Sequence, residues 1–320
     1  MRVCMVCNFF YPRAGGVENH VWALANHLVA LKHTVVIVTH AYRSSSPPST
    51  RCGVRYMGEN RIKVYYCPFV PFYDENTWPT LTAKLPLVRK ILIRENIDVV
   101  HAHQASSVLA LESLLTANLM GIRTVYTDHS LFGLGTVDGI HLNKVVKFAF
   151  SNLDEAIAVS NVCRENLVLR SCIDPAITHR VPNAMDPNKF TPDISNRPNK
   201  DEQINIVVVS RLVYRKGTDL LCRVMREVCL SDENVNFIVG GDGNKKILLD
   251  EMREKNGLEE RITLLGGVPH EQVSEVLSRG HIFLNTSLTE SFCIAILEAA
   301  CCGLFVCSTK VGGVSEVLER

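Results

Sequence analysis

The chain has 320 residues, 47% of them hydrophobic, with 34 Lys and Arg against 33 Asp and Glu, a formal net charge of +1. That length holds two domains with a core each, and a near-zero charge with no run of like charges argues against nucleic acid as a partner. No stretch approaches the ~18 apolar residues of a spanning helix.

Met1 to Phe10 carries one arginine and lacks a small-residue cleavage site, so it reads as a first strand, Arg2 to Cys7, and not as a leader. Gly15 and Gly16 link it to a helix with Val17, Val21, Leu24, Leu28 and Leu31 spaced four and three apart on one face. Glycines let backbone approach a ligand closely and a helix start offers free N–H donors, although a plain tight turn fits equally well. Val35 to Val38 is the next strand, and Ser44 to Ser49 a loop. Phe69, Val70, Phe72 and Trp78 lie in a proline-interrupted loop, where they either touch a membrane surface or pack inward. Helices over Leu85 to Arg94 and Val108 to Leu119 alternate with strands at Asp98 to Ala102, Thr124 to Thr127 and Glu155 to Val159. This β-α-β rhythm predicts a parallel, doubly wound sheet.

His101 and His103 end one of these strands on a shared face, with no third metal ligand evident in the sequence, so a structural or acceptor-side role is expected. His129 follows another strand, where an imidazole can bond a sugar hydroxyl or steady developing charge. Asp128 beside it is expected to point elsewhere.

Residues 1–185 form the first domain of this reading, the polar, proline-containing stretch 186–203 a linker, and 204–320 a second β-α series. Its strand Ile204 to Ser210 empties into Arg211-Leu-Val-Tyr-Arg-Lys216-Gly217. Ligands bind beyond the carboxyl ends of such strands, and a guanidinium with an ammonium there suits a diphosphate. Gly240-Gly241-Asp-Gly243 follows the strand Val235 to Val239, and Gly266-Gly-Val268 follows Ile262 to Leu265. After Ile282 to Leu284 come Glu290 and Glu298, separated by seven residues. A helix from about Phe292 would put Glu298 roughly 9 Å up its axis from the start. The free N–H groups near Phe292, Cys293 and Ile294 would point into the same crevice. Two acceptors flanking an anion-binding end match a nucleotide-sugar, although taken alone two unrelated glutamates on a solvated helix face fit equally well.

The twelve cysteines do not read as a disulfide framework, since Cys4, Cys7, Cys293, Cys301, Cys302 and Cys307 sit in apolar segments, where free cysteine packs as a small hydrophobe. Cys4 and Cys7 have redox or zinc-like spacing but no second pair. The chain therefore reads as facing a reducing compartment. A glycan on Asn285, in the sequon Asn285-Thr286-Ser287, would block the crevice beside Glu290. There is no G-x-G-x-x-G after a strand and no P-loop, which counts against a dinucleotide cofactor or an NTPase.

With these residues in place, the glutamate-x7-glutamate signature resembles that of the retaining GT-B glycosyltransferases. The runs Ser210 to Gly217, His281 to Glu290, Asp128 to Gly133 and Val311 to Gly313 narrow the resemblance to the catalytic subunits of phosphatidylinositol N-acetylglucosaminyltransferase, along the whole of Met1 to Arg320. The resemblance implies α/β architecture with two Rossmann-like domains facing across a cleft, the second incomplete because family members continue past this point into a membrane-spanning tail. It implies UDP-GlcNAc as donor and phosphatidylinositol as acceptor, hence the first step of GPI-anchor biosynthesis with retained anomeric configuration. It also implies partner subunits in a membrane complex, at the cytoplasmic face of the endoplasmic reticulum. His129, Arg211, Lys216 and Glu290 would be catalytic. Gly15, Gly16, Arg211, Lys216, Gly241, Val268, Glu290, Phe292, Cys293, Ile294 and Glu298 would hold the nucleotide-sugar. With no Asp-x-Asp, neither a catalytic metal nor another cofactor is expected. Two other readings remain open: a related GT-B transferase with another sugar or acceptor, and a non-catalytic subunit of the complex.

Overall fold

Strands of this chain read as near-continuous apolar runs because both faces of each sheet are covered. A computed structural model describes residues 1–318 apart from 14, 46, 47, 74, 75, 78, 79, 81, 82, 136 and 196. It divides into two compact units, Met1–Pro182 and Asn183–Arg320.

The first unit runs β1 (Arg2–Val6), α1 (Gly16–Ala30), β2 (Thr34–His40), β3 (Tyr42–Ser45), β4 (Pro48–Arg51), β5 (Gly53–Met57), β6 (Ile62–Cys67), β7 (Pro71–Tyr73) and β8 (Asn76–Thr77). It continues with α2 (Leu85–Arg94), β9 (Val99–His103), α3 (Val108–Leu119), β10 (Arg123–Asp128), α4 (Val137–Ala149), β11 (Glu155–Ala158), α5 (Asn161–Ser171) and β12 (Thr178–Arg180). Eight strands form one sheet in the order β12-β11-β10-β9-β1-β2-β6-β5. It is parallel except where β5 pairs with β6. Side chains alternate across it, so Cys4 and Val6 pack with α2 and α3 while Val3, Met5 and Cys7 pack against α1. Cys4 and Cys7 therefore sit on opposite faces, fully buried, and cannot share a ligand.

The winding reverses between β1 and β9, and this point is stapled by one buried asparagine. Asn8 Oδ1 accepts from Ser107 Oγ at 2.7 Å and from the Leu109 backbone N–H at 3.0 Å, and the Asn8 backbone N–H donates to Ser107 Oγ at 2.8 Å. Further along, Asp128 is tied to Arg170 of α5 in an ion pair with both side chains at 0% exposure, and accepts from Tyr126 Oη at 2.9 Å. It does point away from His129, as expected.

The second unit runs β13 (Ile204–Val209), α6 (Thr218–Ser231), β14 (Val235–Gly240), α7 (Lys246–Lys255), β15 (Ile262–Gly266), α8 (Val273–Ser278), β16 (Ile282–Asn285), α9 (Ile294–Cys301) and β17 (Phe305–Ser308). The five strands are parallel in the order β15-β14-β13-β16-β17. Ile206, Val208, Phe237 and Val239 face α6 and α7, while Val207, Ile238 and Phe283 face α8 and α9.

Several expectations are corrected. The stretch 186–203 belongs to the second unit and is no free linker: Phe190 is buried in its core, and Arg197 donates to the carbonyls of Ser278, Cys302 and Gly303. Composition hid this, because one buried aromatic and one arginine suffice to anchor a polar segment. Residues 44–49 include ends of the β3–β4 hairpin and not a plain loop, with 46 and 47 outside the described residues. Cys307 is exposed on the edge strand β17. Phe69 packs on the core beneath Lys84, and Val70 is exposed; Trp78 and the Phe72 side chain lie outside the described residues. Among the described residues, no helix is long and apolar enough to cross a membrane.

Removing one partner of a fully buried ion pair strands the other charge, at a cost of about 3–5 kcal/mol. Arg170→Ala is expected to lower the first unit's unfolding free energy by that amount in urea melts. The double change Asp128→Leu with Arg170→Met should recover most of it. A melt unchanged in Arg170→Ala would remove the pair from the framework.

Candidate active site

The second sheet also reverses its winding, between β13 and β16, and ligands of open α/β sheets gather beyond the carboxyl ends of strands at such a point. The turn after β13 ends at Gly217, whose φ of +67° is a left-handed value. A Cβ there would sit 1.9 Å from the Thr286 carbonyl oxygen, so only glycine lets this turn lie on the loop after β16. The Thr286 hydroxyl donates to the Lys216 carbonyl at 3.1 Å and the Leu288 amide to the Arg215 carbonyl at 2.9 Å. This seam delivers Lys216 to Glu290: the ammonium pairs with Glu290 Oε1, which also accepts from Ser287 Oγ at 2.7 Å. The pair sits largely buried, with side-chain exposures of 21% and 10%. Ser287 was not expected in the site. Its signal in the sequence was the hydroxyl-rich run Thr286-Ser287 just before Glu290.

Residues 210–213 lie against the turn after β14. Gly241 is fixed by space, since a Cβ would stand 1.8 Å from the Ser210 carbonyl oxygen. The Leu212 amide donates to the Asp242 carbonyl at 2.8 Å. Val268, after β15, crowds Gly240, where a Cβ would meet its Cγ2 at 2.8 Å. Arg211 is exposed, and among the described residues its guanidinium has no hydrogen-bond or ion-pair partner. Arg211, Lys216, Gly241 and Glu290 thus stand on loops that touch one another directly or through a shared neighbour. Asn285 is buried and its amide donates to Ser308 Oγ at 2.9 Å, so the sequon is closed to a glycan in the folded chain.

The helix carrying Glu298 starts two residues later than expected. Cys293 has φ +74°, which breaks the helical path, and α9 begins at Ile294. Its leading N–H groups are those of Ile294 and Ala295, while Phe292 is buried in the preceding turn. Burial, then the Glu290 charge, pushes the Cys293 thiol up to about 12, so it stays protonated and is no nucleophile. Glu298 is 5% exposed, and burial pushes its carboxyl up to about 7. His270 Nδ1 approaches Glu298 Oε1 at 3.9 Å, and burial lowers that histidine, so the contact joins a neutral imidazole to a carboxyl that is about half protonated near pH 7. His270 escaped the sequence reading because nothing in Gly267-Val-Pro-His270 marks it.

In the first unit His129 lies beside three other histidines. His103 Nδ1 is 3.3 Å from His129 Nε2, the His20 and His129 rings are 4.7 Å apart, and the His101 and His103 rings 4.2 Å. Burial lowers all three of His101, His103 and His129, with His101 at about 3, and each is depressed further by neighbouring histidines. They are neutral donors and acceptors at pH 7. The third histidine that the sequence reading lacked is His20, on a separate helix. Gly15 caps α1 and gives room to Glu18, whose Oε2 lies 2.5 Å from where a Cβ would be; Gly16 faces open space. A buried carboxylate at that helix end occupies the positive end of the dipole, which suits an alcohol better than a diphosphate.

Known proteins share this architecture. Residues 46–136 match the family described as PIGA (GPI anchor biosynthesis), and residues 190–320 match Glycosyl transferases group 1. The fold is similar to that of sucrose-phosphate synthase from Thermosynechococcus elongatus, with a TM-score of 0.77 at 18% identity, over 98% of this chain and 82% of that one. Two doubly wound units, the second matching Glycosyl transferases group 1, make this a glycosyltransferase of the GT-B class. The PIGA-type subunit of phosphatidylinositol N-acetylglucosaminyltransferase from Arabidopsis thaliana is 54% identical over 99% of the chain, and its Homo sapiens namesake is 48% identical over 99%. The chain belongs to this family of N-acetylglucosaminyltransferase subunits, and spans 69% and 64% of the length of those two relatives.

Folding raises the Glu298 carboxyl from 4.5 to about 7, so the folded state keeps a proton that the unfolded state gives up. Stability present below about pH 4.5 is then lost as pH rises toward and through 7. Glu298→Gln removes this dependence. Its stability relative to wild type should grow between about pH 5 and pH 7.5 by on the order of 1–3 kcal/mol in urea melts of the second unit. A difference constant across that range would mean that Glu298 ionises like an exposed glutamate.

Proposed function

We propose that the chain transfers N-acetylglucosamine from UDP-GlcNAc to the inositol of phosphatidylinositol, opening GPI-anchor synthesis, with retention at the anomeric carbon. The observation that carries this is 54% identity over 99% of the chain to a phosphatidylinositol N-acetylglucosaminyltransferase subunit, with Lys216 and Glu290 assembled at the winding reversal. The enzyme works with partner subunits at the cytoplasmic face of the endoplasmic reticulum membrane, and needs no metal or other cofactor.

In this reading the diphosphate arrives at Arg211 and Lys216, beside the backbone of Gly241 and the start of α9. Lys216 is held by Glu290 in the free enzyme, so its charge is already placed and need not be gathered as the bond breaks. Negative charge on the departing UDP grows in the transition state, where the placed Lys216 ammonium, joined by the exposed Arg211, stabilises it more than it stabilises the bound donor. Glu290, bonded to Ser287 and Lys216, keeps one carboxylate oxygen with acceptor capacity for a sugar hydroxyl. Glu298 accepts from ribose hydroxyls, and Val268, Phe292, Cys293 and Ile294 line the nucleotide. His129, neutral, bonds the sugar, with Gly15 and Gly16 on the acceptor side. No side chain of the site is an evident nucleophile, so the acceptor attacks on the face the diphosphate leaves, and that diphosphate takes the acceptor proton.

Calorimetry in excess chelator should show UDP binding, weakened in Glu298→Ala by on the order of 1–3 kcal/mol. Transfer to phosphatidylinositol vesicles by the chain with its partner subunits should persist under the same chelator. Lys216→Ala should lower turnover more than donor affinity. An absolute need for a divalent ion would remove Arg211 and Lys216 as the charge-neutralising groups.

A further inference from the structure

We propose that His20, His103 and His129, all within the first unit, form a binding site for a divalent transition metal of the zinc class. Three elements supply one imidazole each. His20 lies on α1, His103 ends β9, and His129 follows β10 directly. One ring nitrogen from each can be chosen so that all three lie within 4.8 Å of one another. The ring centroids are 4.7, 5.6 and 5.7 Å apart.

The distances suit a tetrahedral ion. Zinc–nitrogen bonds of about 2.0–2.1 Å place two ligand nitrogens about 3.3–3.4 Å apart. His103 Nδ1 and His129 Nε2 already stand at 3.3 Å. With all three nitrogens within 4.8 Å, the closure still needed is at most roughly 1.4 Å, and His20, half-buried on α1, is the ligand nearest the surface. His103 Nε2 is buried and, among the described residues, has no hydrogen-bond partner, so the ring can turn without breaking a bond at that end. His101 is a neighbour and not a ligand, since its Nε2 is engaged with Thr127 Oγ1 at 2.7 Å.

The ligand chemistry selects the ion. Three imidazoles suit zinc, copper, nickel or cobalt, whereas magnesium and calcium demand oxygen ligands that this set does not offer. Three protein ligands leave a fourth position for water or a hydroxyl group. A metal here would take the His129 nitrogen that the proposed transfer reaction uses toward the sugar, so occupancy should inhibit transfer. That consequence rests on the proposed function, whereas metal binding itself does not.

Cobalt(II) titrated into the metal-free chain is the direct probe, because tetrahedral cobalt absorbs strongly in visible light. We expect one saturable visible band without the near-ultraviolet thiolate charge-transfer band that any of the twelve cysteines would add. Zinc should displace it and magnesium should not. His20→Gln, at the half-buried position, should weaken cobalt affinity at least ~10-fold while UDP binding by calorimetry stays unchanged, which reports that the chain is folded. His129→Gln should weaken cobalt affinity likewise, with an unchanged far-ultraviolet circular dichroism spectrum as the check that it is folded. A thiolate-type spectrum, or equal cobalt affinity in wild type and both variants, would overturn the site. Stoichiometric zinc should inhibit transfer by the chain with its partner subunits, and chelator should restore it. Cobalt bound as described but without inhibition would support the site and count against His129 in the transfer reaction.

Discussion

In the second unit β13 sends the chain to one side through β14 and β15, and it returns to pair β16 on the other. The turn after β13 and the loop after β16 must then emerge side by side, and how closely they approach is decided at Gly217. With no Cβ and a left-handed φ, Gly217 lies on the Thr286 carbonyl, and the hydrogen bonds of Lys216 and Arg215 to Thr286 and Leu288 follow. The Lys216–Glu290 pair is the product of this seam. Any side chain at 217 would push the turn off the loop and separate the two charges, so the electrostatics of the site depend on a steric fact about one residue.

The site so built is preorganised in charge. Glu290 holds the Lys216 ammonium in place before any anion arrives, which is the arrangement that the proposed electrostatic role of Lys216 needs. Glu298 follows a different logic. It is sunk in an apolar helix between Ile296 and Ala299, and burial alone suffices to favour its protonated form. Glu290 is paired with an ammonium and a hydroxyl, whereas desolvation pushes Glu298 toward neutrality, so two identical side chains eight positions apart sit in different hydrogen-bonding surroundings.

The first unit builds its own polar centre at its own winding reversal. Asn8 ties the end of β1 to the start of α3, and Asp128 with Arg170 anchors the end of β10. These buried contacts hold His103 and His129 at neighbouring strand ends, while α1 brings His20 above them. Burial, and after it their neighbouring histidines, keeps His101, His103 and His129 neutral at pH 7.

Much of this was legible without coordinates. Strands such as Ile204–Val209 and Val235–Gly240 are uninterrupted apolar runs, and parallel pairing buries both faces, so composition alone identifies them. The helices Leu85–Arg94 and Val108–Leu119 were legible from their length and apolar spacing, and the candidate site residues were sought on the loops that succeed strands. The strand β6 was not read, since Ile62–Cys67 has no neighbour in sequence that reveals its place beside β2. The start of α9 was misplaced because the left-handed turn at Cys293 is imposed by packing and not by that residue's own preference. His20 and His270 were missed for a deeper reason. Sequence determines which residues end each strand, because that depends on local period. Only the tertiary structure decides which strand end or helix face lies beside which, because that depends on the order in which the sheet is wound. Lys216 and Glu290 are 74 residues apart along the chain, and the sheet alone brings them together.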